Sequence, residues 1–221
     1  MRTQIEITSD GSHTLFVPEL EEHYHSINGA IQESIHVFIE TGLHHCIKKH
    51  INIFEVGFGT GLNAYLTLLD IIRSNKVIDY TSIEAYPVNL NVINQLNYTE
   101  QLNKESKELF SKLHQVDWNV KKEITNSFYL NKIQADFTKF DFSQIDDMID
   151  LVYFDAFAPD KQNEMWSQSL FDKLYNVMND NGIFVTYCAK GIVRRMLQQS
   201  GFTVERLPGP PGKREMLRAT K

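Results

Sequence analysis

Three glycines at alternate positions follow a short apolar run and precede an apolar pattern with helical spacing. The run spans residues 51–56, and Gly57, Gly59 and Gly61 come directly after it. This order predicts a buried strand, a tight turn and the start of a helix. Glycine suits such a turn because it adopts positive φ and lets a ligand approach the backbone closely. The stretch therefore predicts a small-molecule site at the end of a strand.

The spacing of these glycines indicates which small molecule. Residues 55–61 read E-x-G-x-G-x-G, whereas dinucleotide enzymes carry G-x-G-x-x-G. The difference favours S-adenosylmethionine, whose amino-acid end has no pyrophosphate to cradle. We expect Glu55, the three glycines and Asn63 to contact it. The alternative is an ordinary glycine-rich turn between a strand and a helix.

Two further carboxylates follow apolar segments. Glu84 ends the second predicted strand, at the distance beyond a glycine turn where an acidic residue usually accepts hydrogen bonds from ribose hydroxyls, and Ala85 follows it. Asp136 comes after the third predicted strand and could accept the adenine amino group, with Phe137 as its apolar neighbour. We predict that these residues bind the nucleoside part of the cofactor. Either carboxylate could instead be an ordinary surface group.

Asp155 directly follows a fourth, nearly all-apolar strand. Methyl transfer needs an acceptor that is held close and aligned, and an amine acceptor must be neutral when it attacks. A carboxylate can orient such an amine and take its proton, so Asp155 is the candidate catalytic residue. Its alternative role is to cap the next turn. Phe157 and Trp166 could form a platform for a base, or they could pack in the core.

Strand and helix patterns alternate along the chain, which predicts an α/β fold with a mostly parallel sheet and helices on both faces. Ligands on such sheets bind at the carboxyl ends of the strands. We expect a Rossmann-like class I fold, with residues 1–45 as an N-terminal extension over the cofactor cleft. Residues 46–221 would form the catalytic domain, with a helical insertion near 97–127. The predicted strands are 51–56, 79–85, 128–135, 148–154, 183–188, 202–207 and an antiparallel last strand at 215–219. The main predicted helices are 62–73, 164–178 and 190–200, and Asn181-Gly182 is predicted to form a turn.

Charge and composition restrict the partners. The 221-residue chain has a net charge of −6, so it is not a general polyanion binder, although a local basic patch could still bind nucleic acid. Lys161, Lys213 and Arg214 could form such a rim, or they could be scattered surface charge. The two cysteines suggest neither a disulfide framework nor a metal site, which favours the cytoplasm. No signal peptide or membrane-spanning run is predicted.

Several stretches together resemble the MnmC/MnmD methyltransferases, which act on the wobble uridine of certain tRNAs. The resemblance runs from about Tyr24 to Leu217. The stretches that carry it are EVGFGTGLN at 55–63, DAFAPDK at 155–161, NEMW at 163–166, KREM at 213–216, YHS at 24–26 and QES at 32–34.

This resemblance implies an S-adenosylmethionine-dependent conversion of 5-aminomethyl-2-thiouridine to 5-methylaminomethyl-2-thiouridine in the tRNA anticodon loop. It implies that Asp155 lies beside the acceptor amine and that Tyr24, Glu33 and Ser34 help to enclose the cofactor. Phe157, Lys161, Trp166, Lys213 and Arg214 are the predicted substrate-binding residues. We expect a form without an FAD domain or a metal, which needs a separate enzyme to supply the aminomethyl group. A small-molecule methyltransferase and a non-enzymatic cofactor-binding scaffold are the alternatives.

Overall fold

The computed structural model describes residues 2–72 and 74–221. The strands are β1 (Gln4–Ile7), β2 (His13–Val17), β3 (Glu22–His23), β4 (His50–Val56), β5 (Val77–Glu84), β6 (Lys122–Thr125), β7 (Phe128–Gln134), β8 (Ile149–Phe154), β9 (Met178–Thr186), β10 (Thr203–Pro208) and β11 (Glu215–Thr220). The α-helices are α1 (Ala30–Ser34), α2 (Leu62–Ile71), α3 (Leu90–Ile93), α4 (Tyr98–Leu102), α5 (Lys107–Gln115), α6 (Gln168–Val177) and α7 (Gly191–Ser200). A π-helical turn, Ile35–Glu40, continues α1, and 3₁₀ turns lie at Leu43–His45, Lys104–Ser106, Phe137–Lys139, Phe142–Gln144 and Asn163–Met165.

A single eight-stranded sheet positions the strand ends that carry the predicted site. Its order is β10-β11-β9-β8-β4-β5-β7-β6. The five strands β9, β8, β4, β5 and β7 run parallel, and β11 lies antiparallel between β9 and β10. The predicted mostly parallel sheet with an antiparallel last strand is therefore confirmed.

The core lies on both faces of this sheet, as strand β8 illustrates. All six residues of β8 are buried, and from Leu151 to Phe154 their side chains alternate between two hydrophobic clusters. Leu151 and Tyr153 pack with α2 and α5, whereas Val152 and Phe154 pack with α6 and α7. A strand covered on both faces reads as a continuous apolar run, which is why β8 was recognisable from sequence.

Four sequence predictions need correction. The predicted helical insertion near 97–127 contains α4 and α5, but its end is the strand β6, which forms a hairpin with β7 and buries Ile124. Asn181-Gly182 lies within β9, where the register with β8 shifts, rather than in a turn before the strand. The predicted helix 164–178 is divided into a 3₁₀ turn and α6. Helix α2 ends at Ile71, and Arg73, the predicted helix end, lies outside the described residues.

The N-terminal segment forms a small antiparallel sheet, β1-β2-β3, whose first turn caps α1. Asp10 Oδ2 accepts the N–H of Gln32 at 3.0 Å, and the hydroxyls of Thr8 and Ser12 accept the two preceding N–H groups at 3.3 Å. The first N–H groups of a helix have no partner within it, so side-chain acceptors stabilise its start. This contact ties the N-terminal sheet to the helix. Within residues 2–72 and 74–221, the structure contains no helix that could serve as a membrane span.

Candidate active site

The turn between β4 and α2 leaves little or no room for side chains at its glycines. Gly57 and Gly59 have φ of 93° and 49°. A Cβ on Gly57 would lie 2.9 Å from the carbonyl oxygen of Asp155, and one on Gly59 would lie 3.0 Å from the Tyr24 ring. The chain thus leaves an open cradle of backbone at the carboxyl end of β4, as its glycine pattern predicts.

A cleft opens over this turn, at the carboxyl ends of β4, β5, β7 and β8. It has a cavity volume of about 170 Å³. The predicted site residues that line it are Tyr24, Gly57, Gly59, Asn63, Glu84, Ala85, Asp136, Phe137, Asp155 and Phe157. Gly61, which directly precedes α2, is not in the lining, and a Cβ on it would lie 2.8 Å from the His114 ring.

Asp155 lies on the floor of the cleft with one defined side-chain partner. Its Oδ2 accepts a hydrogen bond from Asn63 Nδ2 at 2.8 Å. Burial raises the pKa of Asp155 to about 7, the hydrogen bond from Asn63 opposes that rise, and the charges of Glu33 and Lys213 act in opposite directions. A carboxylate with this pKa is suited to exchanging a proton near neutral pH.

Glu55 lies beneath the turn instead of in the cleft lining, which corrects the expectation of a direct contact. It is 0% exposed, and its Oε2 accepts a hydrogen bond from Ser82 Oγ at 2.7 Å. Burial raises the pKa of Glu55 to about 8, and the charge of Asp155 contributes to the rise. The two carboxyl groups therefore influence one another.

Glu84 holds the glycine turn and keeps accepting capacity for a ligand. Its Oε2 accepts the N–H of Gly59 at 3.1 Å, and its Oε1 accepts the N–H of Tyr86 at 2.8 Å. Burial raises the pKa of Glu84, while these backbone hydrogen bonds lower it. A carboxylate offers about four lone-pair sites, so two further hydroxyl donors can be accommodated. This donor–acceptor balance fits the two hydroxyls of a ribose.

Asp136 and Phe137 border the cleft in different ways. Asp136 is exposed, and its Oδ1 accepts the N–H of Thr138 at 3.0 Å and the Thr138 hydroxyl at 2.7 Å. That hydroxyl is the main cause that lowers the pKa of Asp136. Phe137 is 3% exposed and packs against Phe54 and Phe154. The Asp136 carboxylate could therefore accept a hydrogen bond from an adenine amino group, and the apolar Phe137 lies next to it in the cleft lining.

Two aromatic side chains from distant segments meet at the cleft. Tyr24 contacts Phe157 edge-on, with ring centroids 5.1 Å apart. Trp166 was expected to offer a platform for a base, but it is 3% exposed and packs on Phe154. Its Nε1 donates to the carbonyl of Phe157 at 2.7 Å. Trp166 therefore fixes the backbone of Phe157 from within the core.

The remaining predicted residues lie outside the cavity lining. Buried Glu33 accepts the N–H of Ser26 at 2.8 Å and forms an ion pair with Lys213. The Lys213 ammonium lies 3.8 Å from the ring centroid of Tyr187, so in this structure it contacts both Glu33 and Tyr187. Buried Ser34 Oγ has no hydrogen-bond partner among the described residues.

Two predicted substrate-binding cations lie nearer the surface. Lys161 lies 3.8 Å from Glu21, and Arg214 is exposed. Neither residue lines the cavity. Of the three cations predicted to form a positive rim, Lys161 and Lys213 therefore pair with glutamates, and Arg214 is exposed.

Some cleft residues were not singled out from the sequence. His25 lines the cleft with its Nδ1 unpartnered among the described residues, and burial lowers the pKa of His25 to about 4, so it is neutral. Its position beside Tyr24 was the available signal. The other lining residues that sequence reasoning missed are Phe58, Thr60, Leu62, Ile83, Tyr86, Ala135, Thr138, Ala156, Gln162, Glu164 and Met165.

Known proteins resemble this chain over most of its length. It is 28% identical over 214 residues to a Marinomonas sp. protein and 29% identical over 208 residues to one from Leptospira borgpetersenii. Both are named tRNA 5-methylaminomethyl-2-thiouridine biosynthesis bifunctional protein MnmC. The matches cover 90% and 89% of this chain but 31% and 32% of those proteins. The chain thus spans about a third of the length of the curated relatives it matches.

Two solved structures also match this chain over nearly its whole length. MNMC2 from Aquifex aeolicus superposes with a TM-score of 0.83 at 26% identity, and the match covers 99% of this chain and 70% of that one. Spermidine synthase from Thermotoga maritima shares the fold, with a TM-score of 0.58 at 10% identity over 100% of this chain and 72% of its own.

A family model agrees with the cleft just described. The model is described as S-adenosyl-L-methionine-dependent methyltransferase and matches residues 94–221, more than half of the chain. The matched part includes the strand ends that carry Asp136 and Asp155, and the glycine cradle lies before it in the chain. The chain belongs to the S-adenosyl-L-methionine-dependent methyltransferase family.

Proposed function

We propose that this protein transfers a methyl group from S-adenosylmethionine to the aminomethyl nitrogen of wobble 5-aminomethyl-2-thiouridine in tRNA. The product is 5-methylaminomethyl-2-thiouridine. The observation that carries the proposal is Asp155, a cleft carboxylate with a pKa of about 7 that lies beside Asn63 and near the glycine cradle. The names of the MnmC relatives, which print tRNA 5-methylaminomethyl-2-thiouridine biosynthesis, support the same substrate.

The proposed roles within the cleft follow from its contacts. When bound, S-adenosylmethionine supplies a methyl group activated by a positive sulfonium. The glycine cradle would hold its amino-acid end, Glu84 its ribose hydroxyls, and Asp136 its adenine amino group. Tyr24 would close the cleft from the N-terminal segment. Residues of one acidic cleft thus suit a cationic ligand.

Asp155 would act on the acceptor. Its carboxylate can accept a hydrogen bond from the aminomethyl nitrogen and take the proton that this nitrogen loses, because a pKa near 7 leaves it ionised at slightly alkaline pH. Asn63 holds the carboxylate from α2, which keeps one oxygen in a defined place. Phe157, which is half-buried beside Tyr24, is the ring that would contact the base. Alignment of acceptor and donor supplies much of the rate enhancement.

The proposed substrate has consequences for partners and location. The wobble base lies in the tRNA anticodon loop, and recognition of its edge requires a nucleotide splayed out of the stack. The aminomethyl group must be made before this step, so we propose that a separate enzyme supplies it. We also propose that the protein works in the cytoplasm.

One experiment tests the proposal. Purified protein is incubated with S-adenosylmethionine and tRNA from cells that lack this methylation, and the nucleosides are analysed by mass spectrometry. The expected result is conversion of the aminomethyl nucleoside to its methylaminomethyl form. The net charge of −6 favours the alternative of a small-molecule methyltransferase. Cofactor binding in calorimetry without methylation of any tRNA would reject the tRNA substrate.

A further inference from the structure

His25 lines the cleft with an imidazole that makes no hydrogen bond to the described part of the chain. Its backbone is fixed, because its N–H donates to Thr14 Oγ1 at 3.0 Å and the Thr14 hydroxyl donates to its carbonyl at 3.2 Å. The residue is 8% exposed, and its Nδ1 is buried with no partner among residues 2–72 and 74–221. Leaving a buried polar group unpaired is costly, so such a group in a ligand site indicates a contact that the ligand completes.

Packing places this imidazole beside the glycine turn. The His25 ring meets the ring of Tyr98 on α4 edge-on, with centroids 6.4 Å apart. The Tyr98 hydroxyl donates to Thr60 Oγ1 at 3.2 Å, and Thr60 lies between Gly59 and Gly61. His25 and Thr60 both line the cavity. One aromatic ring therefore connects the imidazole to the turn that is proposed to hold the amino-acid end of the cofactor.

The cavity lining carries carboxyl groups but no permanent cation. Its carboxyl groups belong to Glu84, Asp136, Asp155 and Glu164, and no lysine or arginine is among the lining residues that the structure describes. Such a lining suits the sulfonium and the α-ammonium of S-adenosylmethionine. The α-carboxylate of the same ligand is disfavoured there unless hydrogen-bond donors face it. Neutral donors of this chain must therefore bind that carboxylate.

Backbone and side-chain donors are both available near the turn. Helix α2 begins after Gly61 without a side-chain cap, so N–H groups of its first turn are open to an anion. Burial lowers the pKa of His25 to about 4, and a neutral imidazole carries one N–H donor. The two oxygens of a carboxylate can accept from the helix start and from the imidazole together.

We propose that His25 binds the α-carboxylate of S-adenosylmethionine through its imidazole N–H and so selects ligands that carry this group. The inference rests on the proposed placement of the amino-acid end at the glycine cradle and is independent of the tRNA substrate. It gives the N-terminal segment a second role, because Tyr24 closes the cleft and the next residue recognises the ligand.

Calorimetry with three adenosine thioethers tests the proposal on the full chain. S-adenosylhomocysteine carries the carboxylate and the amine, S-adenosyl-3-thiopropylamine carries only the amine, and 5′-methylthioadenosine carries neither. His25→Phe keeps a ring against Tyr98 but removes the N–H, so it should weaken S-adenosylhomocysteine binding by about tenfold to a hundredfold. The affinities for the other two thioethers should stay within about threefold, because neither forms this hydrogen bond.

Two further variants separate the hydrogen bond from packing. His25→Gln restores an N–H donor and should recover part of the lost affinity. His23→Phe is the matched control, because it removes another imidazole of the N-terminal segment, which pairs with Glu6 and does not line the cavity. This control should bind all three thioethers as the natural protein does. Should His25→Phe not fold, the smaller His25→Leu decides by the same three affinities.

The pattern across the thioethers decides the outcome. An equal loss for all three ligands in a folded variant would overturn the inference, and so would a loss shared by S-adenosylhomocysteine and the amine, which would assign His25 to the ammonium. Unchanged S-adenosylhomocysteine binding in His25→Phe, with weakened binding in Gly59→Ala, would reject the role of His25 alone. Unchanged binding in both variants would reject the placement of the amino-acid end at the turn. No tRNA is present, so these results do not depend on the proposed substrate.

Discussion

Glu55 lies near the end of β4, and Asp155 directly follows the neighbouring strand β8. The two carboxyl groups nevertheless have different surroundings. Glu55 is 0% exposed and hydrogen-bonded to Ser82, whereas Asp155 lines the cleft and is hydrogen-bonded to Asn63. Burial raises the pKa of both, to about 8 for Glu55 and about 7 for Asp155. Because like charges at close range do not both ionise easily, Asp155 is the carboxyl group that ionises first as pH rises.

Asp155→Asn should leave cofactor binding within a few-fold and lower methyl transfer by about 10²–10⁴-fold. Asparagine keeps an oxygen that can accept the Asn63 hydrogen bond but cannot take a proton. Calorimetry measures the binding, and methylation of the tRNA measures the rate. Activity close to that of the natural protein would remove Asp155 from the mechanism.

Glu55→Gln should make the fold less sensitive to alkaline pH. The carboxyl pKa of Glu55 rises from 4.5 to about 8 on folding, so the folded state binds a proton in this range that the unfolded state releases. The unfolding free energy of the natural protein therefore falls as pH rises through the window, by up to a few kcal/mol for this group. Urea denaturation at about pH 5 and about pH 8 measures the difference.

The glutamine variant should lose clearly less stability between these two pH values, because glutamine can still accept the Ser82 hydrogen bond without ionising. The raised pKa of Asp155 also lowers the unfolding free energy as pH rises, and this contribution remains in the Glu55 variant. Glu19→Gln is the control, since Glu19 is exposed. Equal pH dependence in the Glu55 variant and the natural protein would show that Glu55 ionises freely in the fold.

At the scale of elements, the strand–turn–helix unit and the N-terminal segment form the cleft together. The turn after β4 supplies open backbone, and Tyr24, which follows β3, lies against it. The cap that Asp10 provides for α1 holds this segment in place. The glycine turn therefore serves two purposes, close approach of a ligand and close approach of Tyr24.

Gly59→Ala should weaken cofactor binding about tenfold or more. An alanine at φ 49° costs about 1–2 kcal/mol, and its Cβ would lie 3.0 Å from the Tyr24 ring. Gly191→Ala is the matched control at the start of α7, where the nearest atom is the flexible end of Arg195 at 3.3 Å. Calorimetric titration of both variants checks the difference, and equal affinities would show that the turn tolerates a side chain.

For the whole molecule, charge is the main obstacle to the proposed substrate. The net charge of −6 repels a polyanion at long range. Several basic side chains near the strand ends are neutralised by partners, as in the pairs Lys161–Glu21, Lys190–Asp160 and Lys213–Glu33. Binding of the proposed tRNA would therefore depend on a few cations that remain available at the surface, of which Arg214 is one.

Arg214→Ala should weaken tRNA binding and lower the slope of log affinity against log salt concentration by about 1, as expected for the loss of one phosphate contact. Arg206→Ala is the control, because Arg206 lies 3.6 Å from Glu215 on the neighbouring strand. Fluorescence anisotropy with labelled tRNA across a salt series measures both. An unchanged slope in Arg214→Ala would place the RNA on another surface.

The sequence alone was sufficient for the fold class and the floor of the cleft. The glycine turn, Glu84 and Asp155 are recognisable because each belongs to a local pattern of apolar strand followed by a polar or glycine residue. Parallel strands bring their carboxyl ends to one edge, so the meeting of these residues followed from topology. The antiparallel last strand was also predictable.

Only the tertiary structure decided which side chains face the ligand and which support it from behind. Glu33 and Lys213 form a pair although 180 residues separate them, and Trp166 lies in the core instead of at the surface. No local pattern encodes such contacts, because they depend on how loops and helices pack across the finished sheet. The same holds for the pKa of Asp155, which is set mainly by burial, a property of the folded chain.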